Sequence, residues 1–109
     1  FTEVTKEAGI ARTGWGAVRW SVERGQPGPL LVLLKALPEA EAVVMGRRAL
    51  LRSAELGLVA CVRAVVEGVA WGRSLLQARD EQTGEPVMVW AVRGGRAAAV
   101  EYLLSQGAD

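Results

Sequence analysis

The chain has 109 residues, half of them hydrophobic, with a formal net charge of +1, no histidine and one cysteine. That is the profile of one small domain with ample core material, and it lacks the basic excess that marks nucleic-acid binders. Imidazole-based catalysis, His metal ligation, an internal disulfide and a thiolate metal site are all excluded.

Residues 1–13 match nothing later in the chain. Thr5 to Ile10 predicts a helical turn ending at Gly9, the remnant of a preceding unit or an N-terminal cap. From residue 14 onward one spaced pattern occurs three times. A glycine pair eleven residues apart recurs as Gly14–Gly25, Gly46–Gly57 and Gly84–Gly95, the copies standing 32 and then 38 residues apart. Seven residues before each second glycine stands Val18, Leu50 or Met88, followed by Ser21-Val22, Ser53-Ala54 or Ala91-Val92. These fall at i, i+3 and i+4 and predict a short helix with one narrow face of small or apolar groups. The second glycine ends that helix by taking a left-handed conformation. A second helix then carries the stripe Leu30, Leu33, Leu34, Leu37; Val62, Val65, Val66; or Val100, Leu103, Leu104. Pro29 and Pro86 fit helix first turns, which need no amide donor. Helices this short are marginal alone and must draw stability from stacking. Self-similarity at such a period indicates a repeat array.

The spacing, with Gly84-Glu85-Pro86-Val87-Met88-Val89-Trp90-Ala91-Val92-Arg93-Gly94-Gly95 as its fullest copy and Gly107-Ala108-Asp109 as its ending, resembles the ankyrin repeat. The resemblance covers about residues 14–109. It implies an all-α, ankyrin-like helix-turn-helix solenoid of about three units, near 14–45, 46–83 and 84–109. The family's Thr-Pro-Leu-His start is replaced by Gly16-Ala17-Val18-Arg19, Arg48-Ala49-Leu50-Leu51 and Pro86-Val87-Met88-Val89, which removes the usual polar links between units. The array is therefore expected to hold together by apolar contacts. Because another repeat would ordinarily follow Asp109, the chain is expected to be a piece of a longer polypeptide or complex.

No catalytic constellation emerges. Glu39 with Glu41 and Asp80 with Glu81 are close in sequence, but both pairs fall in expected loops without an apolar pocket to raise one pKa. Gly14-Trp15-Gly16 and Gly94-Gly95 have neither the strand nor the lysine of a phosphate loop, and turns explain them. No cofactor is expected. Cys61 falls on an apolar helix face as a buried thiol and suits a reducing intracellular compartment; the location is otherwise open. No apolar run approaches the roughly 20 residues of a membrane span.

Recognition is the remaining reading. The resemblance places Trp15, the last-turn residues Glu23, Arg24, Glu55, Leu56 and Arg93, and the turn residues Arg47 and Glu85 on a concave groove. Their mixed signs suit a protein partner and argue against phosphate-backbone binding. Arg47, Arg48 and Arg52 are the one basic concentration, read as solvated charge at a helix start. Trp20, Arg52 and Trp90 share a register, with Trp20 and Trp90 expected to wedge into the core. Between the second and third copies, Gly68 to Gly84 holds six extra residues with Trp71, Leu75 and Leu76. It is either a contact finger that adds Trp71 to the binding surface, or a fold-back over the second helix with a short helix at Ser74 to Arg79. Two functions follow: a non-catalytic protein-interaction module, or a permanent structural subunit of a larger assembly. A regulatory domain joined to an enzyme is a third.

Overall fold

A computed structural model describes residues 10–108; the expected turn over Thr5 to Ile10 lies almost wholly outside them. Among the described residues the protein is all-α. The helices are α1 (Ile10–Glu23), α2 (Pro27–Ala36), α3 (Glu39–Leu56), α4 (Val59–Gly68), a 3-10 helix (Gly72–Gln77), α5 (Val87–Arg93) and α6 (Ala97–Ser105). Among the described residues, β-pairing is limited to one isolated bridge between Arg79 and Pro86. No described helix is long and apolar enough to cross a membrane.

Three of the reversals share one geometry. Gly25, Gly57 and Gly95 have φ of 64°, 75° and 67°. The amide after each glycine donates to a small residue's carbonyl: Gln26 to Ser21 at 2.8 Å, Leu58 to Ser53 at 2.9 Å, Arg96 to Ala91 at 3.1 Å. This is the six-to-one closure of a helix end, and a side chain at the left-handed position costs roughly 1–2 kcal/mol. The chain thus turns back three times in the same manner, pairing α1 with α2, α3 with α4 and α5 with α6. Between pairs, α1 packs on α3 and α3 on α5, α2 packs on α4 and α4 on α6, and α2 also packs on α3.

The core follows the repeated stripes. Val18, Val22, Leu30, Leu50, Ala54, Val62, Val65 and Leu103 are fully buried, joined by Met45 and Val87. Ser21 and Ser53 are buried hydroxyls satisfied within their own helices, Ser53 by Ala49 O at 2.7 Å and Leu50 O at 3.1 Å. They occupy little volume and leave no orphaned donor, which suits a close helix–helix approach.

Several expectations are corrected. Gly14, Gly16 and Gly46 lie inside helices rather than at turns. α3 runs unbroken through residue 46 because Ala42, Met45, Ala49 and Leu50 continue one buried helical stripe. A Cβ on Gly46 would stand 2.7 Å from the ring of Trp71, so glycine is required there for close approach. Glu39 and Glu41 form the first turn of α3, where carboxylates favour the helix dipole, and are not in a loop. Arg47 and Arg48 lie mid-helix. The segment after α4 folds back: Leu75 and Leu76 of the 3-10 helix are buried, and Gly72 comes so near α4 that a Cβ would meet Val65 O at 2.1 Å. That short helix starts two residues earlier than expected. Trp20 is 63% exposed and is not core; Val92 and Leu104, expected on packing stripes, are 62% and 60% exposed.

Candidate functional site

The first helices of the three pairs share one side with the returning loop, Ala78 to Pro86. Trp15 of α1, Arg47, Arg48, Leu51 and Arg52 of α3, and Trp90 of α5 line a cleft there of about 320 Å³, with Asp80, Glu81 and Gln82 from the loop. Residues 47, 48, 51 and 52 meet on one side because i, i+1, i+4 and i+5 cover a single broad helical face. Leu51 is buried and forms the apolar floor; Trp15 and Trp90 are half-buried and pack against the core.

Local hydrogen bonds shape the loop. The amides of Gln82 and Thr83 donate to Asp80 Oδ2 at 2.9 and 2.8 Å, and the Thr83 hydroxyl donates at 3.1 Å. These donors, the Thr83 amide foremost, hold the Asp80 carboxyl below its usual range. Arg79 Nη1 donates to Gly84 O at 2.8 Å, and the Asp80 amide to Glu85 O at 2.9 Å. So tied, the loop carries Glu81 back to α3, where Oε1 lies 3.0 Å from Arg47 Nη2 and 3.6 Å from Arg48 Nε.

Beyond that pair, charges are matched along the three first helices. Arg52 donates to both oxygens of Glu23 at 3.0 and 3.2 Å and to Glu55 at 2.7 Å. That fork lowers the Glu23 pKa and raises that of Arg52. Glu85 and Arg93 are hydrogen-bonded, with the same directions of shift. Solvent screens such pairs, so they contribute little to stability; their consequence is a fixed charge pattern. Guanidinium groups also lie over indoles: Arg48 is 5.7 Å from the Trp15 ring centroid and Arg93 is 5.6 Å from that of Trp90.

Two buried donors in the cleft lining, Arg47 Nε and Trp90 Nε1, have no acceptor. An orphaned buried donor costs about 1–3 kcal/mol. Both atoms are sealed from the surface, so what the cleft presents is the ring surface of Trp15 and Trp90 beside guanidinium groups that Glu81, Glu23 and Glu55 already hold. It offers apolar contact within a charged rim. Cys61 contributes nothing here: it is buried in α4, and burial pushes its thiol pKa up. Among the described residues no cluster of His, Cys, Asp or Glu has the arrangement to hold a metal ion.

Of the residues read from sequence as partner-binding, Trp15 and Arg47 line the cleft, and Glu23, Glu55, Glu85 and Arg93 pair along the first helices. Leu56 is instead a half-buried residue packed on the core. Arg24 turns outward over Trp20, 4.5 Å from its ring centroid. Trp71 covers Gly46 and lines a different depression of about 440 Å³ with Leu34, Leu37 and Val69, away from the cleft residues. Sequence reasoning did not place Arg48, Leu51, Arg52, Asp80, Glu81, Gln82 or Trp90 among the binding residues. The i, i+4 relation from Arg47 to Leu51 was the signal available for the helical part; the loop contacts had none. No protein-family model, curated protein or solved structure matches the chain.

Proposed function

We propose that the chain is a repeat solenoid of three ankyrin-like helix pairs and acts as a non-catalytic protein-interaction module. Support for the repeat comes from the three like reversals and from the packing of first helices on first helices and second on second. The observation that carries the functional reading is the cleft, where two indoles and three guanidinium groups from the three helix pairs meet over the buried Leu51. Trp and Arg are the side chains that most often anchor protein interfaces. Segments mounted on packed helices are preformed, which limits the entropy lost on binding. The partner is a peptide segment that places an acidic or carbonyl acceptor on the arginines and an apolar side chain between Trp15 and Trp90.

Selection from a displayed random peptide library tests this. Wild-type protein should enrich a common sequence with an acidic and an aromatic or aliphatic residue, and Trp15→Ala with Arg48→Ala should lose those binders at least tenfold. Enrichment that survives both substitutions, or none at all, refutes the cleft as the recognition surface.

A second reading, the permanent structural subunit, is favoured by one observation: Val32, Val92 and Leu104 expose apolar side chains on the first and last pairs. Surface of that kind marks sites of association.

A further inference from the structure

Three of the exposed apolar side chains, Val32, Val92 and Leu104, occupy repeat positions whose counterparts are buried. Val22, Ala54 and Val92 share one register, with exposures of 0%, 0% and 62%. Leu34, Val66 and Leu104 share another, at 1%, 1% and 60%. In both series the first two members are covered and the third is open. A third series runs the other way: Val32, Ala64 and Tyr102 are 67%, 9% and 8% exposed. Tyr102 shows which way that position faces, since its hydroxyl donates to Glu67 of α4 and Arg63 of α4 lies 5.3 Å from its ring centroid. It looks toward the preceding pair, so Val32 looks away from α4, toward the side of α2 that no other described helix pair covers.

The backbone gives the same answer. A Cβ on Gly25 would touch Leu58, and one on Gly57 would meet Arg96, in each case the residue after the next pair's turn glycine. Gly95 has nothing within 4 Å. The equivalent covering residue of the first pair, Gln26, is exposed. The last pair thus presents the face that earlier pairs bury, and the first pair presents the face that buries it.

We infer that a second copy of this chain docks head to tail, the α1/α2 face of one copy covering Val92, Leu104 and Gly95 of the other. The contact continues an interface that the chain already makes twice within itself. In the register of the internal contacts, Gln26 takes the place of Leu58 and Arg96 over the glycine, and Val32 takes the place of Tyr102 beside Glu101 and Ser105, the counterparts of Arg63 and Glu67. Such an interface is heterologous: each copy offers two different surfaces, and the chain of contacts stays open unless it closes into a ring.

Complementation tests it, using sedimentation equilibrium on the whole 109-residue chain. Wild type should gain mass with concentration beyond that of one chain. Val32→Lys alone, and Val92→Lys with Leu104→Lys alone, should each stay at one chain mass. Mixed in equal amounts, the two variants should give a species of two chain masses that grows no further, because one intact face of each kind remains. Wild type that stays at one chain mass overturns the inference, as does a mixture that does not associate. Association that survives loss of either face alone also overturns it, since a symmetric dimer uses one face twice. Circular dichroism should show unchanged helix content. If lysine unfolds either variant, glutamine at the same positions provides the same test.

Discussion

Gly94 lies in the right-handed helical region, with φ −75° and ψ −7°, so its local conformation suits any residue. Judged on the backbone alone, Gly94→Ala should stabilise the protein by about 0.4–1 kcal/mol through a less flexible unfolded chain. Packing between the second and third pairs dictates the opposite sign. A Cβ at Gly94 would stand 2.1 Å from Glu55 O and 3.0 Å from its carbon, where ordinary contact begins at 3.4 Å. Backbone atoms at a helix end cannot swing aside as a flexible side chain does, so α5 must retreat from α3 by more than an ångström. Retreat loosens the packing around Val87 and Ala91, both fully buried, and stretches the 3.2 Å hydrogen bond from Arg96 Nε to Glu55 O. Overpacking costs about 1–3 kcal/mol and a strained hydrogen bond about 1 kcal/mol more. The net expectation is a loss of about 1–3 kcal/mol, or roughly 4–8 °C in Tm for each kcal/mol. Urea unfolding followed by tryptophan fluorescence measures it. Gly95→Ala is the companion: its φ is 67° and its Cβ meets nothing, so it should cost only backbone strain, about 1–2 kcal/mol. A Gly94→Ala protein as stable as wild type, or more so, refutes the close approach of α3 and α5.

Gly46→Ala should be neutral to about 2 kcal/mol destabilising, because the ring overlap outweighs a helix-propensity gain of about 1 kcal/mol; in a Trp71→Ala background the same change should stabilise, and chemical denaturation of the four proteins shows whether the sign reverses. Tyr102 is the only tyrosine, and burial, then its hydrogen bond to Glu67, pushes its pKa up to about 12. A folded pKa above the unfolded value means the stabilisation is whole below about pH 10 and is lost as pH rises toward 12, by about 2–3 kcal/mol. Phenolate absorbance should rise near pH 12 rather than pH 10, and Tyr102→Phe should remove that alkaline step; an unshifted titration contradicts the burial. Glu23, Asp80 and Glu85 all have folded pKa values below the ordinary ones, so their contribution is present above about pH 5 and is lost as acid protonates them. Thermal melts should therefore show Tm flat from neutral to about pH 5 and falling below about pH 4, with a smaller fall in high salt; a Tm that rises on acidification counts against the ion pairs.

The sequence carried the reversals well, because only a left-handed position demands glycine and the same glycine recurs at Gly25, Gly57 and Gly95. It could not separate those from Gly46, where the need for glycine is a tryptophan ring arriving from a segment 25 residues later. The stripe from Ala42 through Met45 to Ala49 was the overlooked cue that α3 extends upstream. Trp20 and Trp90 occupy one register yet differ in burial: Trp90 packs against the core, while Trp20 is exposed with Arg24 over its ring. For the cleft, Trp15 and Arg47 were legible from register. Glu81 was not, because its approach to Arg47 depends on how Asp80 ties the loop, a contact that no spacing rule encodes.

The central claim is that protein recognition happens at the cleft, and site-specific photo-crosslinking in the source cells tests it most directly. A benzophenone side chain placed at Arg48 lies on the cleft, and one at Arg63 lies on the exposed side of α4. We expect the position-48 probe to capture one or a few discrete proteins that the position-63 probe does not. The same set of adducts from both positions, or discrete partners from position 63 alone, contradicts the claim.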